Sequence, residues 1–296
     1  MRMSAEEFLE NLRERGVRLQ IAGGRLRVKA PRDVLTEDLR ARLEDYREEI
    51  VGLLEQRQAD GGAGRVPGVV PVARDERLPL SFAQQRLWFL GQLEPESVEY
   101  NVSLPVWLGA VDVGALSAAL SAVVGRHEVL RTRLVAGEDG VPFQVIDPPS
   151  RFWLPVVDVA SSADPRGTAG ALVGSDAAEP FDLAMGPLIR GFLVRMSGEE
   201  HVLVLSLHHV VSDEWSGRIL RRELSALYEA FRRGEPDPLP ELPVQYADFA
   251  VWQRRWLSGE VLEEQLAFWR ERLAGVPVLE LPVDRPRPVV RSSVGA

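Results

Sequence analysis

The sequence predicts a mixed α/β (α+β) fold with a small α-β-β-α module in front of it, on three observations. The run Val202-Leu203-Val204-Leu205-Ser206-Leu207 is apolar on both alternating faces, as in a strand buried on both sides. From Glu214 to Arg233 the pattern becomes that of an amphipathic helix, with Leu220, Leu224, Leu227 and Phe231 on one face. Strand-type and helix-type stretches then alternate through the rest of the chain, which describes helices packed on sheet.

Taken in order, Ser4 and Glu7 fit a capping box that opens a helix burying Phe8, Leu9 and Leu12 and ending at Gly16. Residues 17–21 and 26–29 alternate apolar with polar across Ala22-Gly23-Gly24-Arg25, which predicts a β-hairpin. Thr36 is a good N-cap for a second helix, with Leu39, Leu43, Tyr46, Ile50 and Leu53 at helical spacing. These elements make residues 1–58 a self-contained module. Residues 59–76, rich in Gly and Pro up to Val72, are expected to be a linker.

The larger region, 77–296, begins with a helix from Ser81, a strand near 102–108 and a helix over 113–125. Strands follow near 129–135 and 143–146, then two long neighbouring strands over 188–195 and 201–207. The helix after Asp213 stops at Gly234, and 246–273 is helical with a break at Ser258-Gly259. The last twenty residues carry Pro277, Pro282, Pro286 and Pro288 and are expected to be extended, with nothing in the chain to pack on. No internal repeat is visible.

Composition narrows the function. Absence of cysteine removes disulfide frameworks and thiolate metal sites, and nothing points to an oxidising compartment. No signal peptide or bilayer-spanning run is present, so a cytoplasmic protein with no membrane role is expected. A net charge of −9 argues against nucleic acid as the main partner.

The candidate chemistry sits at His208-His209-Val210-Val211-Ser212-Asp213, where two of the chain's four histidines are adjacent. A strand delivers both imidazoles to its C-terminal end, and the turn into the following helix leaves one exposed. Histidine is the side chain suited to proton movement near neutral pH. His208 shares a face with Val202 and Val204, which makes it the buried member of the pair. His209 is then the candidate that meets a substrate. Asp213 either acts on substrate or caps the following helix. No third ligand lies at metal spacing, so no metal is expected. Trp88, Trp252 and Trp256 lie in helical segments and are expected to be core anchors.

Four segments in order resemble the motifs of the condensation domain of nonribosomal peptide synthetases, a relative of chloramphenicol acetyltransferase. They are Ser81-Phe82-Ala83-Gln84-Gln85-Arg86-Leu87-Trp88-Phe89-Leu90, then Arg126-His127-Glu128-Val129-Leu130-Arg131-Thr132, the His208–Asp213 segment, and Tyr246-Ala247-Asp248-Phe249-Ala250-Val251-Trp252-Gln253. The module in front, with Gly23-Gly24-Arg25-Leu26-Arg27 at its turn, resembles the docking domain of the tubulysin-synthetase type. The resemblance implies one chloramphenicol-acetyltransferase-like lobe behind a docking domain, stopping near where the family passes into its second lobe.

The implied activity is amide formation between an acyl or peptidyl thioester and an aminoacyl thioester, both presented on phosphopantetheine arms of carrier proteins, with no cofactor bound by this chain. By the same resemblance, His209 is the catalytic histidine, with His208 and Asp213 beside it. Glu214 and Ser216 line the substrate tunnel, with Glu214 standing where the family usually has glycine. Arg86 and Arg131, or the second lobe, supply an arginine for Asp213, and His127 packs between helix and strand. Arg18, Arg25, Arg27 and Lys29 on the hairpin are either a solvated face or a basic strip that accepts an acidic C-terminal tail from an upstream synthase. Two alternatives are a docking module without activity in the 296 residues alone, and a related epimerisation or free-standing acyltransferase domain. The epimerisation reading is disfavoured, since such domains follow a carrier domain.

Overall fold

The computed structural model describes residues 8, 9, 12, 17–22, 25–30, 36–47, 49–53 and 66–286, which fall into two compact units divided between Gly68 and Val69. The expected Ser4–Glu7 capping box, the Gly23-Gly24 turn, the end of the front module at 54–58 and residues 59–65 of the expected linker lie outside the described residues.

In the first unit Phe8, Leu9 and Leu12 are helical, and β1 (Arg18–Ala22) pairs antiparallel with β2 (Arg25–Lys29). Helix α1 (Glu37–Asp45) starts at Thr36, whose hydroxyl oxygen accepts the Leu39 N–H at 3.3 Å. Phe8, Leu12, Val17, Leu39, Leu43, Tyr46 and Ile50 form the core, with Phe8 and Tyr46 ring centroids 5.2 Å apart. The hairpin register sets Arg18 opposite Lys29, Gln20 opposite Arg27 and Ala22 opposite Arg25, in alternation with Leu19–Val28 and Ile21–Leu26. All four basic positions therefore fall on one face of the ribbon.

The second unit is built on a four-stranded sheet in the order β4 (Asn101–Leu108), β9 (His201–His208), β8 (Ile189–Arg195), β7 (Val156–Asp158). A smaller sheet runs β3 (Leu78–Pro79), β6 (Pro142–Ile146), β5 (Thr132–Ala136). The helices are α2 (Phe82–Leu93), α3 (Val113–Arg126), α4 (Pro165–Ala177), α5 (Glu214–Arg232), α6 (Tyr246–Trp256) and α7 (Gly259–Leu273).

All eight residues of β9 are buried. Leu203, Leu205 and Leu207 face a core shared with Leu116 and Leu120 of α3 and Leu220 and Leu227 of α5. Val202 and Val204 pack on the other side with Val194 and with Ala169 of α4. Each large aliphatic side chain removed from water here contributes roughly 2 kcal/mol, which is what fixes β9 at the centre.

Helix α4 and the short strands β3 and β7 are additions to the expected elements. α4 has the sequence PRGTAGALVGSDA, whose only large apolar residues are Leu172 and Val173, so it shows almost no hydrophobic periodicity. Its start is set by Asp164, which accepts the Gly167 N–H at 3.0 Å, and by Pro165 at the first helical position. The strand expected from Val129 begins only at Thr132, because Glu128–Arg131 forms a 3₁₀ turn closed by the Thr132 hydroxyl donating to the Glu128 carbonyl at 2.7 Å.

Two further expectations change. The end of the expected linker is seated on the larger unit: Asp248, 1 % exposed, accepts the Val72 N–H at 2.9 Å, the Gln245 N–H at 2.7 Å and the Arg74 guanidinium at 2.7 Å. Trp88 packs against the main core, but Trp252 and Trp256 are half-buried outside it. They stack with centroids 5.1 Å apart, because α6 turns Ala247 and Val251 inward against Leu78. No residue of α7 is buried, and the described part of the following tail, 274–286, is exposed.

Burial pushes the Asp248 carboxyl up, but Arg74 and the N–H groups of Gln245 and Val72 outweigh it and hold the group below the usual range. Asp248→Ala should therefore cost about 2–4 kcal/mol in urea unfolding of the larger unit, since Arg74 and two N–H groups lose their acceptor. Asp139→Ala, which removes an exposed 3.3 Å pair with Arg77 and an exposed bond from the Val141 N–H at 3.1 Å, should cost less, about 1 kcal/mol.

Candidate active site

The last residue of β9 and the turn after it are pinned by backbone bonds. The His208 N–H donates to the Leu188 carbonyl at 3.1 Å, and the His209 N–H to the Tyr100 carbonyl at 2.7 Å. The Val211 N–H then returns to the His208 carbonyl at 3.0 Å, so the chain turns sharply into α5. The two imidazoles end in opposite environments.

The His208 side chain is 7 % exposed. Its Nδ1 accepts the Val210 N–H at 3.1 Å, and its ring lies 6.2 Å from Tyr100 and 6.2 Å, edge-on, from Phe181. Desolvation and the neighbouring His209 push its pKa down to about 4, which keeps it neutral at ordinary pH. His209 is exposed, and its ring makes no hydrogen bond among the described residues.

Asp213 caps α5. Its Oδ1 accepts the Ser216 N–H at 2.7 Å and the Ser216 hydroxyl at 2.6 Å. These bonds, with a smaller contribution from His209, hold the Asp213 carboxyl below its usual range against the effect of burial. Among the described residues it has no arginine partner. Arg86 is exposed on α2, and Arg131 donates to the Asp147 carbonyl, so neither of the expected partners pairs with Asp213. Arg131 is held where the 3₁₀ turn meets the end of β6, its carbonyl accepting the Asp147 N–H at 2.9 Å, and its Nε is buried without a partner among the described residues.

The two residues placed by resemblance on a tunnel wall are both engaged locally. Glu214, 85 % exposed, pairs with Arg218 at 2.6 Å one turn along α5, and the Ser216 hydroxyl is used by Asp213. His127 departs from a simple packing role. Its Nε2 lies 2.6 Å from a carboxylate oxygen of buried Glu223, which also accepts from Arg126 at 3.2 Å. Arg18, Arg25, Arg27 and Lys29 belong to the other unit, at the register positions given above.

A polar network beneath His208 escaped the sequence reading. Arg190 donates to a carboxylate oxygen of Asp176 at 2.9 Å and to the carbonyls of Asp176 at 2.7 Å and Glu179 at 2.6 Å. Its guanidinium lies 4.0 Å over the Phe181 ring. Ser206 donates to the second Asp176 oxygen, and the Asn101 amide donates to the Ala177 and Glu179 carbonyls at 3.0 and 2.9 Å. The signal was an arginine and a serine directly opposite each other in the apolar middle of two strands whose other polar residues stand at their ends. Phe181, Tyr100 and His208 also line an open cleft of about 620 Å³, with Leu87, Leu90 and Leu183. No cluster of His, Cys, Asp or Glu able to hold a metal is found among the described residues, and no described helix is long and apolar enough to cross a membrane.

A mixed sheet carrying adjacent histidines into a helix capped by aspartate defines a condensation-type lobe. The chain belongs to the condensation domain family, whose model matches residues 74–296, and residues 5–56 match the TubC N-terminal docking domain. A linear gramicidin synthase of Brevibacillus parabrevis is 48 % identical over 232 residues, covering 77 % of this chain and 3 % of that protein. The phosphinothricin tripeptide synthetase PhsC of Streptomyces viridochromogenes is 43 % identical over 266 residues, covering 88 % of this chain and 24 % of that one. Among solved structures, the X-domain in its complex with OxyB from teicoplanin biosynthesis superposes with a TM-score of 0.68 at 33 % identity, over 77 % of this chain and 50 % of that one. The chain thus spans a small part of these synthetases and half of the solved domain.

Because His208 is neutral when folded and takes up a proton near its ordinary value when unfolded, the unfolded state binds more protons between about pH 6.5 and 4. Stability should fall as pH drops through that window, by up to roughly 3 kcal/mol, and His208→Phe should remove that part of the slope. Denaturant midpoints at pH 7, 5.5 and 4.5 for both proteins measure it.

Proposed function

We propose that this chain is the docking and front-lobe portion of a nonribosomal peptide synthetase module. That module joins an acyl or peptidyl thioester from an upstream carrier protein to an aminoacyl thioester on a downstream carrier, giving an amide and a free thiol. The observation that carries the reading is the exposed His209 imidazole at the end of buried β9, beside Asp213 and within a segment matched by the condensation family. The thioester already supplies the activation, so the protein's part is positioning the amine against it, together with proton transfer or charge stabilisation at His209. Both substrates arrive on phosphopantetheine arms, and we place the synthetase in the cytoplasm.

With a complete synthetase and loaded carriers, His209→Ala should lower amide formation by about 10² or more. Near-normal product would remove the assignment. Glu214→Gly should broaden the range of accepted amines if the tunnel passes the start of α5; an unchanged acceptor profile would make that glutamate neutral.

The first unit supports the docking half of the proposal. Edge strands recruit extended peptides by strand addition, and the hairpin register gathers Arg18, Arg25, Arg27 and Lys29 on one face. The partner this suits is an acidic C-terminal tail of an upstream synthase. Titrating the 296-residue chain with an acidic peptide should give modest affinity that falls with salt and drops about tenfold on Arg25→Glu with Arg27→Glu. Binding indifferent to both would leave the strip as a solvated face.

A further inference from the structure

We infer that His208 is a substrate-binding residue: its Nε2–H donates to a carbonyl oxygen of an acyl group lodged in the cleft bordered by Tyr100, Phe181 and Leu183. The tautomer follows from the backbone. The Val210 N–H donates to Nδ1, so the neutral ring carries its proton on Nε2. Its pKa of about 4 supports a neutral ring throughout the working range. The ring is held in place by Tyr100 and Phe181, and Phe181 in turn sits under the Arg190 guanidinium at 4.0 Å. Arg190 fixes the segment leading into Phe181 through the Asp176 and Glu179 carbonyls.

His208 is more than nine-tenths buried, lines the cleft, and has no protein partner for Nε2 among the described residues. Among the described residues the fully buried side-chain polar atoms without a partner are Asn101 Oδ1, Ser103 Oγ and Arg131 Nε, so His208 Nε2 is open to the cleft, where a ligand acceptor can take the place of water. The surroundings choose the ligand. Leu87, Leu90 and Leu183 give apolar walls, while Glu94, Glu96 and Asp182 stand at the rim, none of them in an ion pair among the described residues. Anionic acceptors such as carboxylate or phosphate are repelled there. A neutral acceptor on an apolar body remains, which is the carbonyl of an ester, thioester or amide. The ligand's identity as an acyl thioester rests on the function proposed above; the hydrogen bond is tested without turnover.

The chain has four histidines, so ¹⁵N-histidine labelling gives few ring signals to assign. The probe is S-hexanoyl-N-acetylcysteamine, with its S-hexyl thioether as control, which keeps the acetamide but lacks the thioester carbonyl oxygen. The thioester should shift the His208 Nε2 signal and bind about 5–10-fold more tightly than the thioether. His208→Phe should lose that preference, and His208→Gln, which offers a side-chain N–H, should recover part of it. The S-succinyl analogue should bind more weakly than hexanoyl at low salt, with the gap closing as salt is added. Equal binding of thioester and thioether, or thioester binding that leaves the His208 signal unmoved, overturns the inference, as does absence of thioester binding. Loss of amide synthesis in His209→Ala leaves it standing, so the two readings fail separately.

Discussion

The double-sided burial of β9 is the constraint on which the larger unit depends. A strand with leucines on one face and valines on the other has no surface to offer water, so helices must cover both sides. It also follows that every polar side chain on β9 needs a local answer. His201 at the start bonds the Gly109 carbonyl at 3.0 Å through Nδ1, and Ser206 donates to Asp176. His208, at the end, bonds Val210 through one nitrogen and turns the other edge toward the cleft. Ser206 is absorbed by the fold, whereas each histidine has one ring nitrogen bonded and borders a cleft, His208 the larger one of about 620 Å³.

The Ser206 answer has wider effects. Asp176 accepts from Ser206 on one oxygen and from Arg190 on the other, which anchors the C-terminal turn of α4 to the middle of the sheet. A buried ion pair is weak evidence for stability by itself, since desolvation offsets much of the attraction. Its effect here is geometric. The remaining Arg190 donors and the Asn101 amide fasten successive carbonyls after α4, and the chain can leave the helix only along the path that presents Phe181 to His208. A helix nearly without hydrophobic periodicity is thus located by polar bonds, while its small Ala169 lets it approach the valine face of β9.

That division explains what could be read in the sequence. Elements defined by periodicity or by a strong cap were legible: β9, α5 with its leucine stripe, α2 behind Ser81, and the break at Ser258-Gly259. α4 was not, because its position is set by contacts between residues 76 and 78 positions apart, such as Asn101 with Ala177 and Glu179. The start of β5 was misplaced because Val129 and Leu130 have strand-like composition but sit in a turn stabilised by Thr132. At the site, the burial of His208 and the cap at Asp213 were visible from face and position alone. The engagement of Ser216 by Asp213, of Glu214 by Arg218 and of Arg131 by Asp147 was not, since composition does not say which of several bonds a long polar side chain will choose.

Those choices narrow the chemistry available at the end of β9. Asp213 commits one oxygen to two donors from Ser216, and as a carboxylate held below its usual range it is poorly suited to give or take a proton near neutrality. His208 is desolvated and hydrogen-bonded at Nδ1, so it offers an N–H but no available base. His209 is left as the one member of the motif whose ring is exposed and bonded to nothing among the described residues. Two adjacent histidines therefore divide the work by environment. One peptide bond separates an imidazole that the fold has made a fixed N–H donor from one that it leaves exposed and without a hydrogen bond among the described residues.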